Sequence, residues 1–201
     1  ITGNVLIDDN TEIFPFVSIG SIPQDLKYNG EKTSVKIGKN CKIREYVTIN
    51  LGTTGGGGVT SIGNSCLLMV GTHIAHDCEI GNNVIFANHS TLAGHVKIFD
   101  NVVVGALSAI HQFSRVGEGA MIGGMSGVTA DVIPFGTVVG NRAKLSGLNV
   151  LGLKRRNVQK KEILELRKAF KNIFLSKKLT LKKRVDILLK KKPKERTINV
   201  L

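Results

Sequence analysis

Aromatic residues are scarce, making up 5% of the 201-residue chain, and no recognisable nucleic-acid module accompanies its formal charge of +13. Binding to DNA or RNA is therefore not expected. Cysteines number only three. An odd count in a chain this long makes no disulfide framework, their spacing fits no zinc pattern, and they suit a reducing cytoplasm. No apolar run approaches the roughly 18 to 20 residues that a bilayer requires, and nothing resembles a signal peptide. A soluble cytoplasmic protein without stable membrane insertion is expected. Acidic residues run short in one region only. Residues 1–150 carry 10 Lys/Arg against 11 Asp/Glu (10 − 11 = −1), and residues 151–201 carry 18 against 4 (18 − 4 = +14).

What the chain has instead is a six-residue period. From Ile62, steps of six reach Leu68, Ile74, Ile80, Phe86, Leu92, Ile98, Val104, Ile110, Val116, Ile122 and Val128. With about 0.4 of residues apolar, chance gives such a run roughly once in tens of thousands of trials. Four residues further on, the column Cys66, Thr72, Cys78, Val84, Ser90, Val96, Val102, Ser108, Ser114, Ala120, Ser126 and Val132 is small throughout. A period of six fits a short strand plus a turn repeated around a prism, with three sides making an 18-residue coil. Coils stack at about 4.8 Å, so residues 18 apart become neighbours. The period also joins Ile1 to Ile19 and Ile37 to Ile49, with breaks between the blocks. These place inserted loops at 20–35 and 51–60, the second glycine-rich. Lacking a Gly-Lys-Ser/Thr sequence after it, the glycine run is expected to be a flexible flap rather than a phosphate loop.

The first residue is Ile rather than Met and lies inside a repeat, so earlier coils are expected to be missing. After Pro134 the hexads fade. From about Asn157 a helical pattern follows, with Ile163, Leu166, Phe170, Ile173 and Phe174 on one face and Leu181, Val185, Leu188 and Leu189 on a second. The expected fold is an all-β parallel β-helix over residues 1–140, followed by a basic α-helical domain over 141–201 that covers the open end of the last coil.

The five histidines, His73, His76, His89, His95 and His111, avoid both inward columns. The 18-residue coil sets His76 against Gly94 and Asp77 against His95. A base, an unshielded backbone N–H and a carboxylate are thus expected within a few ångströms. Three readings follow: an enzyme using His76 as general base, a zinc-dependent hydratase or lyase, and a scaffold that only assembles. A metal site is disfavoured because His73 and His76 need a corner between them to point the same way. Cys41, Cys66 and Cys78 fall in the small inward column and are expected to be buried hydrophobes.

The segment His73-Ile74-Ala75-His76-Asp77-Cys78, with Gln24-Asp25-Leu26-Lys27-Tyr28, Leu92-Ala93-Gly94-His95, His111-Gln112-Phe113, Ser126-Gly127-Val128 and Gly152-Leu153-Lys154-Arg155-Arg156, resembles the LpxA family, the acyl-carrier-protein-dependent UDP-N-acetylglucosamine O-acyltransferases that begin lipid A synthesis. The resemblance covers essentially the whole chain in order. It implies a left-handed β-helix, a homotrimer, and transfer of a (3-hydroxy)acyl chain to the sugar 3-hydroxyl, with N-acylation of a 3-amino analogue as a variant. It implies that His76 is the general base, Asp77 orients it and the Gly94 N–H steadies the oxyanion. Asp25 and Lys27 would hold the glucosamine and phosphate region, His73, His95, His111 and Gln112 would line the substrate cleft, and Asn149, Arg155 and Arg156 would grip the nucleotide. Gly124 and Arg142 would bound the acyl chain. No cofactor is implied beyond the phosphopantetheine of the acyl carrier protein, an acidic partner for the basic tail. Two positions depart from the family: Leu151 stands where relatives carry an acidic residue, and Arg142 replaces a histidine.

Overall fold

The computed structural model describes residues 1–176, 179–191 and 193–199. Its inward columns are where the period puts them. Every member of the run from Ile62 to Val128 is at most 5% exposed, and every member of the small column from Cys66 to Val132 at most 6%. Large and small side chains thus fill one continuous core. Most repeat strands are only two residues long, as a three-sided prism with a corner every six residues demands.

Three sheets form its faces. The first contains Asn4–Ile7, Ser34–Ile37, Val59–Ile62, Glu79–Ile80, Lys97–Ile98 and Arg115–Val116 in parallel order. The second begins with Glu12–Ile13 and ends with Gly136–Val139 and Lys144–Leu148. The third runs from Ser18–Ser21 to Gly127–Val128. Pairing advances by 30 residues from Asn4 to Ser34, by 25 from Ser34 to Val59, then by 18, as from Glu79 to Lys97, until the last parallel step, Met121 to Thr137, which is 16. The two long steps are the two inserted loops. Both leave the third face and enter the first, so they lie on the same edge as residues 75–78, 93–96 and 111–114.

The corners explain a residue choice that hydropathy leaves open. The residue just before nearly every small inward position turns the chain with a positive φ: Ser65, Asp77, Asn83, His89, His95, Asn101, Leu107, Phe113 and Met125 all lie between +56° and +64°, Gly71 and Gly119 take the same turn, and Asp131, before Val132, does not. This left-handed conformation is disfavoured for residues with a Cβ, Asn and Asp least. The stacked corner backbones hold it in place. Asn64, Asn82 and Asp100 form a ladder along one edge, with Asn82 Oδ1 accepting from the Asn64 N–H at 2.8 Å and Asp100 Oδ1 from the Asn82 N–H at 2.8 Å.

Past the last parallel strand the chain departs from expectation. Lys144–Leu148 folds back antiparallel on Gly136–Val139, so the expected boundary at 140/141 falls inside a hairpin. Helix begins at Val150 rather than near Asn157: α1 is Val150–Arg155, α2 Lys160–Phe170 followed by a π-helical turn at Lys171–Leu175, α3 Leu181–Leu189 and α4 Glu195–Asn199. A second core joins Leu153, Ile163 and Leu166 to Phe135. Phe170 and Ile173 are buried as their spacing implies, whereas α3 buries none of its side chains. No described helix is long and apolar enough to cross a membrane.

Candidate active site

On the edge between the third and first faces, residues 76, 94 and 112 form one column, and 77, 95 and 113 the next. Asp77 sits at the corner with φ +58°, its side chain wholly buried. His76, 13% exposed, places Nδ1 2.8 Å from Asp77 Oδ2. A carboxylate can only accept there, which assigns the proton to Nδ1 and leaves Nε2 as an acceptor. Nε2 faces Gly94, where an added Cβ would lie 2.6 Å from it. Among the described residues, no backbone carbonyl takes the Gly94 N–H.

His95 completes the cluster. Its Nδ1 lies 3.9 Å from Asp77 Oδ2, and its ring meets His76 edge-on at 5.0 Å and stacks on Phe113 at 4.6 Å. His73 is half-buried on the preceding strand, with Nδ1 2.7 Å from Thr48 Oγ1. Burial holds its imidazolium below the ordinary histidine range. His111 and Gln112 are exposed on the next coil up. His89 stands apart, at the corner between the second and third faces. The cysteines are buried, and burial pushes the Cys78 thiol up to about 12, which keeps it a protonated core residue.

The glycine run corrects an expectation. It is not a flap but a tight turn, Thr54–Gly56, closed over the buried carboxylate. The Thr53 N–H donates to Asp77 Oδ1 at 2.8 Å and its hydroxyl to Oδ2 at 2.6 Å, while the Asp77 N–H donates to Thr60 Oγ1 at 2.8 Å. Periodicity missed Thr53 because it lies in an insertion, outside any column.

His76, Asp77 and His95 also bring candidate metal-ligand atoms within 4.8 Å of one another. Their separations of 2.8 and 3.9 Å at Asp77 Oδ2 fall either side of the roughly 3.3 Å between ligands of a tetrahedral zinc. Hydrogen bonding accounts for the first, and Oδ2 is already taken by two donors.

This corner can accept a proton at His76 Nε2 and offer an N–H beside it. Residues 131–201 match the family model "Udp N-acetylglucosamine O-acyltransferase; Domain 2", and residues 60–94 match the bacterial transferase hexapeptide model. The acyl-[acyl-carrier-protein]–UDP-N-acetylglucosamine O-acyltransferase of Campylobacter concisus is 45% identical over 95% of this chain and 72% of its own length. The chain belongs to this family. The UDP-N-acetylglucosamine acyltransferase structure from Campylobacter jejuni superposes with a TM-score of 0.92 at 45% identity, over 98% of this chain and 75% of that one. The Paracoccus denitrificans O-acyltransferase is 57% identical over 77% of this chain and 59% of its own length. The chain thus spans about three fifths to three quarters of such relatives.

The other residues singled out in the sequence are spread around the prism. Asp25 and Lys27 sit in the first loop, where Asp25 Oδ1 accepts the Lys27 N–H at 3.0 Å, on the same edge as His76. Asn149 caps α1, accepting from the Gly152 N–H at 2.9 Å and donating to Gly119 O at 3.0 Å. Arg156 lies over the Phe135 ring and donates to Glu118 at 3.2 Å, with one terminal nitrogen buried and without a partner among the described residues. Asn149, Arg155, Arg156 and Leu151 border a cavity of about 350 Å³ against Ile85 and Met121 of the second face. Gly124 is exposed beside Ala106, and Arg142 is exposed in the hairpin turn.

Proposed function

We propose that the protein transfers a (3-hydroxy)acyl chain from acyl carrier protein to the 3-hydroxyl of UDP-N-acetylglucosamine, the first step of lipid A biosynthesis. The observation that carries this is the His76 imidazole, anchored through Nδ1 on the buried Asp77 with Nε2 turned toward Gly94. An alcohol attacks a thioester poorly until its proton is taken, and a neutral imidazole takes it. His76 Nε2 removes the hydroxyl proton as the new C–O bond forms. The Gly94 N–H donates to the developing oxyanion. The C–S bond then breaks, and the proton returns from His76 to the departing pantetheine thiol. In this reading His73, His95, His111 and Gln112 line the cleft, and Asp25 and Lys27, in the first loop on the same edge, hold the glucosamine and phosphate region. The chemistry calls for no further cofactor.

Asn149, Arg155 and Arg156 would hold the nucleotide, yet they lie on the second face, around the prism from His76. One chain cannot close the cleft on both sides. We therefore take the working unit to be a cytoplasmic homotrimer in which the second face of one copy completes the histidine edge of the next. In the same reading the β-helix is left-handed, the C-terminal helices close its end, Gly124 and Arg142 bound the acyl groove, and the basic tail meets the acidic carrier protein.

The test is acyl transfer from acyl carrier protein to UDP-N-acetylglucosamine by the full-length protein, followed by mass spectrometry. His76→Ala lowers the rate at least a hundredfold, consistent with loss of a general base, and mixing it with an Arg156→Ala variant restores a fraction of it. Near wild-type transfer by His76→Ala sinks the proposal.

A further inference from the structure

The glycine-rich loop and its threonine have no part in the mechanism above, yet they make the closest contacts to the buried carboxylate. We infer that Thr53 is a positioning residue, which clamps Asp77 so that its Oδ2 serves His76 rather than His95. The inference rests on the acyl-transfer reading.

Thr53 grips both oxygens of one carboxylate, its N–H at Oδ1 (2.8 Å) and its hydroxyl at Oδ2 (2.6 Å). Two donors from one residue fix the plane of the carboxylate as well as its position. Oδ2 then has one remaining direction to offer, and His76 Nδ1 occupies it at 2.8 Å. His95 Nδ1 waits 3.9 Å from the same oxygen. A modest turn of the carboxylate would bring His95 into hydrogen-bond range and draw Oδ2 away from His76, so the Thr53 fork decides which imidazole is oriented.

The loop is built for this approach. Thr53 is 6% exposed and Asp77 likewise. A Cβ on Gly52 would stand 2.9 Å from Asp77 Oδ1, and one on Gly56 would collide with the carboxylate. Only glycine at these positions lets the backbone close so tightly. The loop is tied in turn to its neighbour, since Thr54 Oγ1 donates to Glu31 at 3.3 Å and the Ser34 N–H to Gly58 O at 2.9 Å. A β-branched side chain stiff at χ1 suits a fixed fork.

The test compares Thr53→Val, which keeps shape and N–H but loses the hydroxyl, with Thr53→Ser, which keeps both donors. Thr53→Val is expected to lower kcat roughly 10- to 100-fold, the scale of one hydrogen bond to a charged group, with KM for the UDP-sugar within about twofold. Thr53→Ser is expected to restore most of it. Ring ¹⁵N shifts of His76 should show a proton fixed on Nδ1 in the wild type and a mixture of tautomers in Thr53→Val. A Thr53→Val enzyme with unchanged kcat, or one whose lost activity serine does not restore, overturns the inference, as does an unchanged His76 tautomer. A wild-type protein that transfers no acyl group defeats the acyl-transfer reading instead, and the tautomer measurement still decides the role of Thr53.

Discussion

Gly94→Ala separates two roles that the same glycine could have. The substitution keeps the backbone N–H, so a purely donor role predicts no effect. The packing predicts a large one. An alanine Cβ would lie 2.5 Å from His76 Cε1 and 2.6 Å from Nε2, where ordinary contact is 3.4–4 Å. The imidazole must therefore retreat by about an ångström, and misplacement on that scale costs on the order of a hundredfold in rate. The backbone at Gly94 is not in the left-handed region, so alanine adds no strain of its own. The displaced ring gives up its bond to Asp77, about 1.5–3 kcal/mol for a bond to a charged partner, which leaves the fold standing. Steady-state acyl transfer with a thermal melt alongside is the assay. A Gly94→Ala protein with kcat within threefold of wild type would refute the placement of His76 Nε2 against Gly94.

Two further outcomes follow from the core and its edge. Burial lowers the His73 pKa from 6.5, so the fold favours the neutral ring while the unfolded chain protonates near pH 6.5. Stability is then full above about 6.5 and falls as pH drops from there toward the folded pKa; urea midpoints at pH 7.5 and 5.5 should show the fall, and His73→Gln should reduce it. Phe86 is fully buried between coils, and Phe86→Ala should cost about 3–5 kcal/mol by chemical denaturation, with loss under 1 kcal/mol contradicting the packed interior.

What could be read from sequence was whatever the period controls. The two inward columns, the burial of the cysteines, and the pairing of His76 with Gly94 and Asp77 with His95 all follow from counting by six and eighteen. The loops escape the count. Thr53 reaches Asp77 through a turn whose path depends on the glycines folding inward, and glycine-rich composition alone suggested freedom rather than closure. The same limit applies after Pro134. Lys144–Leu148 becomes a strand because Gly136–Val139 offers it an edge, a tertiary fact its own hydropathy does not carry. Asn149 is a helix cap first, a role that the family motif masks.

Because each coil rests only on its neighbours, length in this protein behaves like a reading frame. Eighteen residues added in the wall would lengthen the prism by one storey and leave every downstream side chain on its own face. One residue removed between His95 and His111 would turn everything above it, sending interior residues such as Val116, Ile122 and Val128 toward water until a loop absorbed the slip. Insertions are therefore expected to survive in residues 22–33, where the chain already leaves the count and returns to it, and not in 51–58, whose turn is closed on Asp77.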